Sequence, residues 1–181
     1  GLRIVRLLDP RGTAAIGLGP GAMAGLLFGL WRYVWPVALI WWPAVLLYGL
    51  VLLLLGVVPE EQQVSKVLVE QFTGPQGSAW VQWLLVLETV VAAPLVEELF
   101  FRGLLFGWLR RRAGFETSAW IVAALFGAMH GEIQTMLPLA LLGYMFCHLR
   151  VGKGGLWACI AAHAAHNTLA LLHALSSVNG P

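Results

Sequence analysis

The chain has 181 residues, 59% hydrophobic and 11% charged, with a formal net charge of +2 and a mean hydropathy of +0.79. Soluble domains carry about 25% charged residues, so this composition excludes an ordinary soluble protein and describes one membrane domain of several helical spans. The small net charge and the lack of a basic tract exclude nucleic acid as a partner.

Residues 1–33 read as an N-terminal juxtamembrane segment. A Gly-Pro-rich stretch from Gly17 to Gly21 breaks any continuous helix, and Ala22 to Tyr33 reads as an interfacial helix or the end of a short span. The chain begins at Gly1 without Met, which is compatible with trimming of an upstream span. Residues 34–78 hold the first transmembrane helix and an amphipathic loop. The helix, Trp35 to Val58, is apolar and uncharged, with Pro36 and Pro43 in its first half. In the loop, Val64, Val67, Leu68 and Phe72 fall at helical spacing, as in a short helix on the membrane surface.

Residues 79–181 form the helical core. Ala79 to Arg112 is too long for one straight span, since ~34 helical residues would run about 50 Å; Pro94 is expected to kink or split it. Thr117 to Met129, Met136 to Leu149 and Gly155 to Leu175 supply three further helices. Cys147 and Cys159 lie in apolar stretches without paired or metal-like spacing and read as core residues. The expected fold is all-α: a polytopic membrane helix bundle of about five transmembrane spans, with interfacial helices at the N-terminus and in the loop. By the positive-inside rule Arg32, Arg110–Arg112, Arg150 and Lys153 fall on the cytoplasmic side, with Pro181 opposite.

Two adjacent carboxylates, Glu97 and Glu98, interrupt the apolar run from Trp80 to Leu109. An acid at mid-bilayer costs ~2.5–3.5 kcal/mol on the insertion scale, so the pair demands an explanation. Glu98 and Arg102 are four apart and pair on one face. Glu97 lies about 100° round the helix and has no local partner. Phe126 with His130, and His163 with Asn167, repeat the spacing of four on two other helices, so three helices can converge on one polar pocket. The structural alternative is an ion cluster that only ties helices together.

Other chemistries are poorly served. Asp9 is the sole aspartate, which rules out a two-aspartate protease; H-E-x-x-H is absent; and no serine sits in G-x-S-x-G. A carboxylate–histidine site acting on water remains. Glu88 either lines a cleft or snorkels toward the loop side. His166 either lines the site or packs, and His148 and His173 read as structural or interfacial.

The motifs V-E-E-L-F-F-R-G, F-G-A-M-H and H-A-A-H-N, in that order, resemble those of the CPBP family. These CAAX proteases and bacteriocin-processing enzymes, also called Abi proteins, are glutamate-dependent intramembrane endopeptidases. The resemblance covers roughly residues 79–175. It implies that Glu97 is the general base and that His130 orients and activates water. His163 and Asn167 would hold the oxyanion, while Glu98 and Arg102, with Phe126 packing beside them, would support. It implies no cofactor, with zinc on Glu97, His130 and His163 as the alternative. The implied partners are a peptide or membrane-protein substrate and the lipid bilayer, in a prokaryotic cytoplasmic membrane. A catalytically inactive immunity factor or scaffold of the same fold is the competing function.

Overall fold

The computed structural model describes residues 22–57, 63–74 and 77–178. The expected break at Gly17–Gly21 lies outside the described residues, as do Glu60, Glu61, Pro75 and Pro181. All elements among the described residues are helical. In chain order they are α1 (Ala22–Pro36), a π-helical stretch π1 (Val37–Trp41), α2 (Trp42–Leu54) and α3 (Gln63–Thr73). There follow α4 (Ala79–Leu87), π2 (Glu88–Ala92), α5 (Ala93–Glu98), π3 (Leu99–Leu105), α6 (Phe106–Ala128), α7 (Ile133–Val151) and α8 (Gly155–Val178).

The stretch Met23–Leu54 is long and apolar enough to cross a membrane, and only 11% of its most apolar window is buried. A core helix of a soluble protein would be mostly buried. Here the apolar side chains face outward, as lipid requires. The helix starts well before Trp35, and Arg32 is an exposed residue of α1 rather than of a loop. The loop helix is present as α3.

Two of the three π stretches among the described residues end two residues before a proline. Pro43 follows π1 and Pro94 follows π2. A proline inside a helix lacks the N–H for its i−4 bond, and its ring crowds that carbonyl; widening by one residue relieves both. Pro94 therefore neither breaks nor sharply splits the long segment: α4, π2, α5 and π3 run on continuously into α6. The break comes later, at Gly114, where φ is 76° and ψ −179°. Only glycine adopts that conformation readily, and it divides α6 into two legs just after Arg110–Arg112.

Contacts fix the directions of the legs. Gly25 meets Gly154 and Gly29 meets Ala158, so α1 runs parallel to α8. Trp41 Nε1 donates to Pro138 O at 2.9 Å and the Tyr48 hydroxyl donates to Ile133 O at 2.5 Å, so α1 and α2 run antiparallel to α7. One apolar cluster joins Tyr33 and Val37 to Leu142, Phe146, Leu156 and Cys159. A second joins Phe101 and Phe106 to Val122, Phe126 and Cys147. The two glutamates lie on the long leg between these clusters.

Candidate active site

Glu98 and Arg102 are fully buried. Arg102 Nη1 donates to Glu98 Oε1 at 2.7 Å, the pairing expected from the spacing. Arg102 Nη2 also donates to Gly143 O at 3.1 Å, and the guanidinium lies over the Phe126 ring at 4.4 Å and the Phe146 ring at 5.1 Å. Position 143 leaves little room for a side chain. A Cβ there would lie 3.1 Å from Arg102 Nη2 and 3.3 Å from both Ala123 Cα and Phe126 Cδ1.

The same Glu98 oxygen takes a second bond: His163 Nδ1–H donates to Oε1 at 2.8 Å. His163, on α8, is thereby tied to α5. With Nδ1 committed to Glu98, the other ring nitrogen, Nε2, lies 3.9 Å from Glu97 Oε2. That Glu97 oxygen is buried without a hydrogen-bond partner, while 30% of the side-chain surface remains open. Neighbours in sequence thus have opposite surroundings: Glu98 is sealed and doubly bonded, and Glu97 stands at the edge of the cluster.

His130 lies in the turn just after α6 and is exposed. Its Nδ1 is 2.8 Å from Phe126 O. A carbonyl only accepts, so Nδ1 carries the proton and a neutral ring presents Nε2 as an acceptor. Phe126 contacts the ring of His130 at 5.0 Å between centroids and that of His163 at 5.6 Å. It is the apolar wall the two histidines share.

Asn167 Nδ2 donates to Thr89 O at 2.9 Å. The local backbone explains why that carbonyl is free. In π2 the Ala93 N–H reaches back to Glu88 O, and the next residue, Pro94, has no N–H to give. Asn167 supplies the missing donor and keeps one amide hydrogen uncommitted. Glu88 is exposed at the start of π2, and His173 is exposed on α8. His148 packs against Phe115 and Tyr144. His166 bonds Tyr33, a partner the sequence reading did not identify. Glu98, Arg102, His163 and Phe126 therefore meet, with Glu97 3.9 Å from His163, while His130 joins them only through the Phe126 ring. Among the described residues no three His, Cys, Asp or Glu side chains form a group that could hold a metal ion.

A family model described as Rce1-like, type II CAAX prenyl endopeptidase, matches residues 78–169, just over half of the chain. A Bacillus subtilis (strain 168) protein named "Putative membrane peptidase YdiL" is 27% identical over 95 residues, covering 52% of this chain and 39% of that protein. An Escherichia coli protein named "Uncharacterized 24.3 kDa protein" is 35% identical over 94 residues, covering 49% of this chain and 43% of that protein. The chain spans about two fifths of the length of each of these relatives. No solved structure matches it. The matched stretch contains every residue of the cluster just described; α1 and α2 precede it.

Proposed function

The chain belongs to the Rce1-like family, type II CAAX prenyl endopeptidases, and from that premise we propose that it is an intramembrane endopeptidase in which Glu97 activates water against a peptide bond of a membrane-associated substrate. The observation that supports this most is the asymmetry of the glutamates. Glu98 is fully buried with Oε1 bonded to both Arg102 and His163, whereas Glu97 keeps 30% of its side chain exposed and meets His163 only at 3.9 Å; an oxygen of each, Oε2, is without a partner.

In the proposed reaction Glu97 takes a proton from water as the water oxygen attacks the substrate carbonyl carbon. His130 Nε2 accepts the water's other hydrogen and aims its lone pair. The carbonyl oxygen becomes an oxyanion and accepts the second Asn167 amide hydrogen. His163 is the second group beside the oxyanion, its ring fixed by the bond of Nδ1 to Glu98 with Nε2 3.9 Å from Glu97 Oε2. Glu97 then gives its proton to the amide nitrogen, the C–N bond breaks, and a carboxylic acid and an amine leave. Glu98 and Arg102 touch no reacting atom; they fix His163.

The test is Glu97→Gln, which keeps the shape and removes the base. Cleavage of a membrane-protein substrate should fall ~10²–10⁴-fold, the usual range for general-base catalysis. The substrate can be identified by comparing membrane-protein termini in cells with and without the active protein. A folded Glu97→Gln protein that still supports cellular function would instead favour the scaffold reading.

A further inference from the structure

We propose that Tyr33 and His166 are positioning residues: Tyr33, from the first helix, holds His166 and so sets the roll of α8, the helix that carries His163 and Asn167. The proposal rests on the endopeptidase reading above. It concerns a helix that lies before the stretch matched by the family model.

Helix α1 meets α8 along a seam of small residues. A Cβ on Gly29 would lie 2.3 Å from Ala158 O and 2.6 Å from Ala158 Cα, and one on Gly25 would lie 2.9 Å from Gly154 O. These are backbone contacts, so the helices touch almost directly, the packing mode that small residues allow in lipid. A smooth seam of this kind sets distance well and rotation poorly. The next turn supplies direction. Tyr33 is 5% exposed, and its hydroxyl lies 2.8 Å from His166 Nδ1. The His166 ring also meets Trp41 edge-on, at 5.0 Å and 84°. Trp41 is itself fixed by its bond to Pro138 O on α7. His166 is thus held by one directional bond and one ring contact, both from the first helix and its π1 continuation.

His166 lies between His163 and Asn167 in sequence, so whatever turns it turns both. With side chains reaching about 5–6 Å from the helix axis, a roll of roughly 20° displaces their tips by about 2 Å. That is enough to separate His163 Nε2 from Glu97 and Asn167 from Thr89 O. Misplacement by about 1 Å costs up to ~10²-fold in rate. A partly buried hydroxyl–imidazole pair where apolar side chains would pack also calls for a reason, because each group loses much of its hydration.

The experiment compares kcat, KM and thermal unfolding for the wild type, Tyr33→Phe, His166→Leu, His166→Gln and the Tyr33→Phe/His166→Leu double variant, with Glu97→Gln as reference. Tyr33→Phe and His166→Leu should each lower kcat about tenfold, with KM changed less than about twofold. The double variant should be no worse than His166→Leu alone. His166→Gln, whose amide oxygen accepts the same hydroxyl, should recover most of the rate. Wild-type kcat in Tyr33→Phe alongside an inactive Glu97→Gln would overturn the proposal and leave the hydrolytic mechanism standing. Strictly additive losses, or losses confined to thermal stability, would also overturn it. Wild-type cleavage by Glu97→Gln would overturn the endopeptidase reading and the proposal together.

Discussion

At the scale of single residues, the cluster divides into a sealed half and an open half. Glu98→Gln leaves Arg102 charged and buried without a counterion, and removing one partner of a buried pair costs about 3–5 kcal/mol. The variant should therefore unfold at lower temperature in detergent, whereas Glu97→Gln should melt close to wild type and lose only activity. Melting curves of the two purified variants check this. Gly143→Ala should also destabilise, by roughly 1–3 kcal/mol, because its neighbours are a buried guanidinium, a backbone atom and an aromatic ring. For metal, elemental analysis of active protein should find no stoichiometric zinc, and chelators should leave activity intact; one zinc per chain, with activity lost on stripping and restored by zinc, would reverse the proposed chemistry. The Glu98–Arg102 pair was legible because both lie on one helix at a spacing of four. Its third member was not, since His163 is 65 residues away and periodicity carries no information about which helices meet.

At the scale of elements, the proline before the glutamates matters through the hydrogen bond it withholds. Pro94→Ala would give Thr89 O a main-chain donor and allow π2 to tighten toward ordinary α geometry. The helix should gain up to about 3 kcal/mol. Tightening would turn Glu97 relative to α8 and leave Asn167 without its carbonyl, so the prediction is a more heat-resistant protein with a rate at least about tenfold lower. Thermal unfolding and kcat measured on one preparation decide it. The proline located the perturbation in the sequence, and the structure adds that it includes a π stretch at Glu88–Ala92. Whether a helix bends or widens depends on the groups that satisfy the freed carbonyls, and here that group is a side chain 78 residues away.

At the scale of the whole molecule, the directions fixed by contacts put the first residues of α1 beside Gly154, next to Lys153 and Arg150. Following the legs from there returns Arg110–Arg112 to the same end. These basic residues lie together, and we propose that the five legs each cross the membrane and that this end is cytoplasmic. A single cysteine at Arg111 should be shielded from an impermeant reagent added to intact cells, and one at Ser78 should react. The reverse pattern would invert the arrangement. Composition alone disclosed a helical membrane protein, and all five legs were visible, at least in part, as apolar runs. The beginning of α1 was not, because Gly25, Gly29 and Arg32 dilute its hydropathy; its inner face is selected for closeness to α8 rather than for oiliness.

That closeness has a consequence for how the protein is made. Tyr33 and His166 are 133 residues apart, and synthesis at about 5–20 residues per second separates their emergence by roughly seven to twenty-seven seconds. For about the second half of that interval the chain holds Glu97, and later His130, with neither His163 nor Asn167 to complete them. On the proposed chemistry a nascent chain is inert by construction. It acquires hydrolytic power only when its first helix receives a partner made more than a hundred residues later, so unfinished copies threaten none of the proteins inserting beside them.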